Sequence, residues 1–136
     1  MTAITITIHQ VSPAASEAAI RQHRVLIDRP ETKGGSDAGP MGGELFLAAI
    51  GGCFMSNLLA AMKARNVELS GLQTRVTGTL ADNAPARFTA VELVVTADSA
   101  DRDVLDHLVE IADKGCIMMN TLRDKLDVRI RLAVPV

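Results

Sequence analysis

The sequence predicts an α+β fold with a largely antiparallel sheet, and three features carry that expectation. Alternating runs at 3–11, 72–80, 87–97 and 127–134 read as strands. Two helical segments differ in kind, since 44–65 is apolar on nearly every side and 101–114 only along one stripe. The order that results is two strands, a long helix, two strands, a helix and a strand. It lacks the strict strand–helix alternation of a parallel doubly wound sheet. At 136 residues, with 48% apolar and 22% charged, the chain is expected to be a single domain spanning 1–136 whose core needs neither a metal nor disulfides.

Ile4, Ile6 and Ile8 alternate with Thr5, Thr7 and His9, so 3–11 is expected as a strand with one buried face. Turn residues at 12–16 lead to a second strand at about 19–28, the hairpin partner of the first. Residues 29–43, RPETKGGSDAGPMGG, hold Pro and Gly clusters and almost no apolar side chain. They form a loop of about fifteen residues, long enough to be functional.

In the helix at 44–65, positions 47, 50, 54, 58 and 61 are apolar along one face, and 46, 49, 53 and 60 are apolar or small as well. A helix of that kind is a buried one. Residues 45–62 carry no charge, which meets the minimum length of a membrane span. Gly51, Gly52, Ser56 and Asn57 near the middle, a reach of only about 27 Å, and a remainder that reads as a soluble sheet favour a core helix over a membrane one. Such a helix cannot be surrounded by the short strands and single amphipathic helix of its own chain, so an obligate homodimer is expected.

The runs at 72–80 and 87–97 are joined by ADNAPA and form a β-hairpin. Asp98 or Ser99 is placed to cap the helix at 101–114, whose stripe is Val104, Leu105, Leu108, Ile111 and Ala112 and which Gly115 stops. A short helical piece at 116–125 follows. The strand at 127–134 then alternates Val128, Ile130, Leu132 and Val134 with Arg129 and Arg131.

Several functions are excluded. A formal charge of −2, no Trp, no Tyr and three Phe leave neither field nor stacking platforms for nucleic acid. The N-terminal MTAITITIHQ has no secretory pattern, so a cytoplasmic, thiol-reducing location is expected. Gly34 to Gly39 has the glycine spacing of a phosphate loop, but Pro40 and Met41 stand where Lys and Ser or Thr are required. The two cysteines are far apart without a CxxC, and His9, His23 and His107 show no ligand spacing, so no structural metal and no cofactor are expected. A hydrolase constellation of a Cys with His107 and Asn120 rests on a trio that any scattered residues would satisfy.

Cys53 and Cys116 are therefore either inert core packing or chemistry. Gly51 and Gly52 beside Cys53 weaken the helix by about 1 kcal/mol each, which implies close packing or binding there. Cys116 opens a helical turn, where the dipole favours thiolate. Met55, Met118 and Met119 lie next to the two cysteines in sequence and suit an apolar pocket.

The stretch GGSDAGPMGGELFLAAIGGCF at 34–54, with Glu44 nine residues before Cys53, together with CIMMNTL at 116–122, resembles the two signatures of the OsmC/Ohr superfamily. The likeness covers essentially the whole chain, with Gly42 and Ile117 where the family commonly has Pro. It implies an OsmC-like fold, in which a largely antiparallel sheet wraps a long buried central helix within an intertwined homodimer. It implies a peroxidase of organic hydroperoxides, with Cys53 as the peroxidatic cysteine, Cys116 as the resolving one and Glu44 as the partner of an activating Arg. A small dithiol or dithiol-protein would be the reductant. In the family that Arg comes from the N-terminal strand region; the candidates here are Arg21, Arg24, Arg29 and Arg87. The alternative is a non-enzymatic OsmC-like dimer that binds an apolar ligand or senses redox state or electrophiles. An arginine in reach of Cys53 or Glu44 would separate the two.

Overall fold

The computed structural model describes residues 1–98 and 101–133. The chain falls into two compact units, Met1–Phe46 and Leu47–Val136.

The first unit is a three-stranded antiparallel sheet, β1 (Thr7–Gln10), β2 (Ser16–Ile20) and β3 (His23–Ile27), in that spatial order. The expected second strand at 19–28 is in fact divided between two strands. Arg21 adopts a left-handed conformation (φ 53°) and turns the chain between them. The run expected as a strand at 3–11 is a strand only over four residues, and all four are exposed. Ile4, ahead of β1, and Ile8 within it are 87% and 55% exposed among the described residues.

Asp28, buried at the end of β3, organises the long loop. Its carboxylate accepts the N–H of Arg29 (2.7 Å), Ser36 (3.0 Å) and Ala38 (3.1 Å), and its own N–H donates to the Pro40 carbonyl. The loop winds so tightly that a Cβ at Gly35 or Gly39 would collide with the backbone carbonyls of Arg29 and Leu26. It delivers the chain to α1 (Gly42–Ala64), whose start is capped by Glu44 Oε1 accepting the Met41 N–H at 2.9 Å.

In the second unit β4 (Gln73–Leu80), β5 (Phe88–Thr96) and β6 (Asp127–Leu132) form a sheet in that order. β4 and β5 are antiparallel, whereas β5 and β6 run parallel. A parallel pair needs a crossover, and α2 (Arg102–Gly115) with α3 (Ile117–Leu122) provides it. β5 is the central strand, and its Val91, Leu93 and Val95 are fully buried. In α2 the buried stripe is Leu105, Leu108 and Ala112, with Ile111 half-buried and Val104 exposed. Its cap is Asp101, which accepts the N–H of Asp103 and Val104. Asp98, by contrast, bonds through its own N–H to the Ser70 carbonyl. Ser99 and Val134 lie outside the described residues. Gly115 is the last helical residue, and Cys116, extended at φ −83° and ψ 119°, both ends α2 and starts α3.

Residues Ile50, Gly51, Phe54, Leu58, Ala61 and Met62 form the buried stripe of α1. Gly51 lets the helix meet β4 closely, since a Cβ there would lie 2.6 Å from Val76 Cγ2. The expectation of a helix buried all round is corrected within this chain. Ala48, Ala49, Gly52, Ser56, Leu59 and Ala60 are exposed, because the sheet of the second unit covers one side of the helix only. By length and composition alone α1 could cross a membrane, yet its Ile50, Phe54 and Leu58 are wholly buried in the protein.

Candidate functional site

Cys53 lies one helical turn from the middle of the buried stripe of α1, and Cys116 at the sharp junction of α2 and α3. The fold brings these two residues, 63 apart in sequence, to a sulfur–sulfur distance of 3.2 Å, with the Cys116 S–H donating to Cys53 Sγ. Both are free thiols; Cys116 is fully buried and Cys53 half-buried.

Their environments push their acidities apart. Burial raises the Cys53 thiol, but the backbone N–H of Met118, the S–H of Cys116 and the N–H of Ile117 outweigh it and hold the thiol below its ordinary value. For Cys116 burial is again the largest influence and raises the thiol. The Met119 N–H opposes it, the facing Cys53 sulfur adds to it, and the net shift is upward. The expectation that a helix start would favour the Cys116 thiolate is therefore corrected. The N–H groups of Met119 and Met118 do act on Cys116, but they are outweighed because that thiol is sealed from water and faces a second sulfur.

Asn57, one turn after Cys53, completes the site. Its Nδ2 donates to the Cys53 carbonyl at 2.8 Å and lies 4.0 Å from Cys53 Sγ. Its Oδ1 faces the bare Cα of Gly115, where an added Cβ would approach it to 3.3 Å. An Asn in the interior of a helix, four residues after a cysteine, is the signal that could have singled it out. Of the Gly pair, Gly51 packs on Val76, whereas Gly52 opens to space that the chain leaves empty. Met55 accepts from the Thr74 hydroxyl at 4.0 Å and is half-buried beside β4.

Glu44, in the first unit, is exposed and holds the Met41 N–H. Two of the arginines expected near the site have partners of their own. Arg24 pairs with Glu17 at 3.7 Å, and Arg87 donates to the carbonyls of Asn83 and Pro85. Among the described residues, no guanidinium is among the groups that lower the Cys53 thiol. Nor does any group of His, Cys, Asp and Glu among the described residues gather as a metal centre.

The arrangement is a dithiol poised for thiolate chemistry. One sulfur is acidic and half-open, the other protonated, buried and in contact with it. Closing 3.2 Å to a bond of 2.05 Å takes a movement of about 1.2 Å.

Solved structures share the fold. An OsmC-like protein from Mycoplasma pneumoniae superposes with a TM-score of 0.83 at 17% identity, covering 99% of each chain. The organic hydroperoxide resistance protein OhrB of Bacillus subtilis gives a TM-score of 0.71 at 22% identity, covering 96% of this chain and 98% of that one. An organic hydroperoxide resistance protein from Elizabethkingia anophelis gives 0.74 at 19% identity, covering 98% and 99%. No curated protein matches at the level of sequence. The family model described as OsmC-like protein matches residues 34–131, a span that contains the loop, the α1 cysteine and the α2–α3 cysteine described above. The chain therefore belongs to the OsmC-like protein family.

Proposed function

We propose that this protein is a thiol-dependent peroxidase that reduces organic hydroperoxides, acting in the cytoplasm as a homodimer with a small dithiol or dithiol-protein as reductant. The observation that carries the reading is the 3.2 Å contact between an acidified Cys53 and a protonated Cys116. Membership of the OsmC-like family supports it, as do structural relatives named for organic hydroperoxide resistance.

In the first step the Cys53 thiolate attacks the terminal oxygen of the hydroperoxide. An S–O bond forms, the O–O bond breaks, and the departing alkoxide takes a proton to leave as an alcohol. Cys53 is then a sulfenic acid. In the second step the Cys116 sulfur attacks the Cys53 sulfur, losing its proton as hydroxide leaves, so that water and a Cys53–Cys116 disulfide result. Two thiols of the reductant then exchange with that disulfide, and the oxidised reductant departs. Glu44 is assigned the role of holding an activating arginine, supplied by the second protomer. The homodimer is supported by apolar surface that the chain leaves uncovered: Leu59 with Ala48, Ala49 and Ala60 on α1, and Ile6 and Ile8 in the first unit.

The test is hydroperoxide consumption with a dithiol, read together with the mass of the protein after one equivalent of an alkyl hydroperoxide. We expect a 53–116 disulfide in the wild type and loss of turnover in Cys53→Ser. Cys116→Ser should undergo one oxidation and then climb to sulfinic and sulfonic acid, because no neighbouring thiol traps it. Two unchanged thiols in the wild type would end the mechanism and leave the ligand-binding or sensing role.

A further inference from the structure

Asn57 is costly where it stands, since Asn is a poor former of helix interiors and its side chain competes for backbone groups. The Cys53 carbonyl already has a donor in the regular helical ladder. The Asn57 amide adds a second donor to the same carbonyl at 2.8 Å, which anchors the amide against the turn that carries Cys53. An amide nitrogen has two N–H groups, so once one is fixed on the carbonyl the other remains for the sulfur 4.0 Å away. The amide oxygen occupies the space that glycine at 115 leaves, immediately before Cys116.

We infer that Asn57 is a positioning residue for the Cys53 sulfur: its amide, anchored on the Cys53 carbonyl and lodged against Gly115, points an N–H at that sulfur and keeps it facing Cys116. The inference rests on the reading of Cys53 as the attacking thiol. A neutral thiol 4.0 Å away accepts weakly, whereas a thiolate accepts a shorter, charge-assisted bond. The amide thus favours the charged state over the neutral one. In the attack on the peroxide it holds the sulfur that forms the S–O bond. In the condensation it keeps that same sulfur within reach of the Cys116 sulfur that displaces hydroxide. The backbone N–H groups of Ile117 and Met118 act on the same sulfur.

The experiment is the pH profile of Cys53 alkylation by iodoacetamide in the full-length reduced protein, with the site resolved by peptide mass, for wild type, Asn57→Leu, Asn57→Ser and Asn57→Asp. Leu removes both donors at similar volume. Ser still bonds back to the helix carbonyl but is too short for the sulfur. Asp places a like charge beside the thiolate. The midpoint should rise in all three, and alkylation at pH 7 should fall about threefold to tenfold for Leu and Ser and about tenfold or more for Asp. Reaction with hydroperoxide should slow in step. An unchanged midpoint and rate in Asn57→Ser, the variant least disruptive to the helix, overturns the inference. If the wild type consumes no hydroperoxide but the alkylation profile shifts as described, the peroxidase reading fails and the role of Asn57 stands.

Discussion

The two sulfurs face each other yet titrate in opposite directions, and the asymmetry comes from what surrounds each one. Because the folded Cys53 thiol lies below its ordinary value, its thiolate should appear, and its alkylation accelerate, at a lower pH than in the unfolded chain. The same depression contributes stability that is present above the unfolded value and is lost as pH falls through the folded one. Removing the S–H donor should move the transition back up, so Cys116→Ala, which leaves no donor in its place, is expected to raise the midpoint of Cys53 alkylation, measured by site-resolved mass. The neighbouring glycines offer a contrast. Gly51→Ala forces a Cβ onto Val76 and should cost about 1–3 kcal/mol in urea unfolding. Gly52→Ala meets nothing in the chain and should stabilise the helix by up to about 1 kcal/mol. The pairing of Cys53 with Cys116 was legible only through the resemblance of two motifs to the OsmC/Ohr signatures. The backbone donors that acidify Cys53 were not, because any residue other than proline at 117 and 118 would supply them.

Elements were legible where periodicity was strong and hidden where the backbone did something its side chains do not advertise. α2 announces itself through one apolar stripe, and β4 and β5 through alternation. The division of 19–28 into β2 and β3 was missed because Arg21 takes a left-handed conformation, normally the work of Gly or Asn, in a turn with no Gly, Pro, Asn or Asp. The loop ahead of α1 was read as irregular, and its organiser, Asp28, escaped notice because its partners are three backbone N–H groups. Those bonds, led by Ala38 and Arg29, hold the Asp28 carboxyl below the usual carboxylate value. A lowered carboxyl contributes stability above its unfolded value, near 3.9, that disappears as pH drops through the folded one. Amide protection in 29–40, taken relative to the intrinsic exchange rate at each pH, should therefore fall in acid before that of the β4–β5 pair. Asp28→Asn should reproduce that loss at neutral pH, and equal protection in variant and wild type would refute the role.

At the scale of the whole molecule the apolar sequence and the surface of one chain do not balance. Composition correctly marked α1 as a core helix, but it could not say whose core, and half of that helix is left open by its own chain. Leu59, 50% exposed, tests whether a second copy covers it. Leu59→Glu should leave the fold of the chain intact by circular dichroism and convert a dimer to a monomer in sedimentation, whereas a wild type that sediments as a monomer would remove the homodimer. The parallel β5–β6 pair, which no single-strand pattern signals, has its own consequence through the crossover that it demands. Because α2 and α3 return the chain to α1, a bond between the two sulfurs would close a covalent ring across 63 positions. A ring of that size removes conformations from the unfolded chain equivalent to about 4 kcal/mol. The peroxide-treated protein should then melt several degrees above the reduced one, and its melting temperature would record how many molecules in a sample are waiting for a reductant.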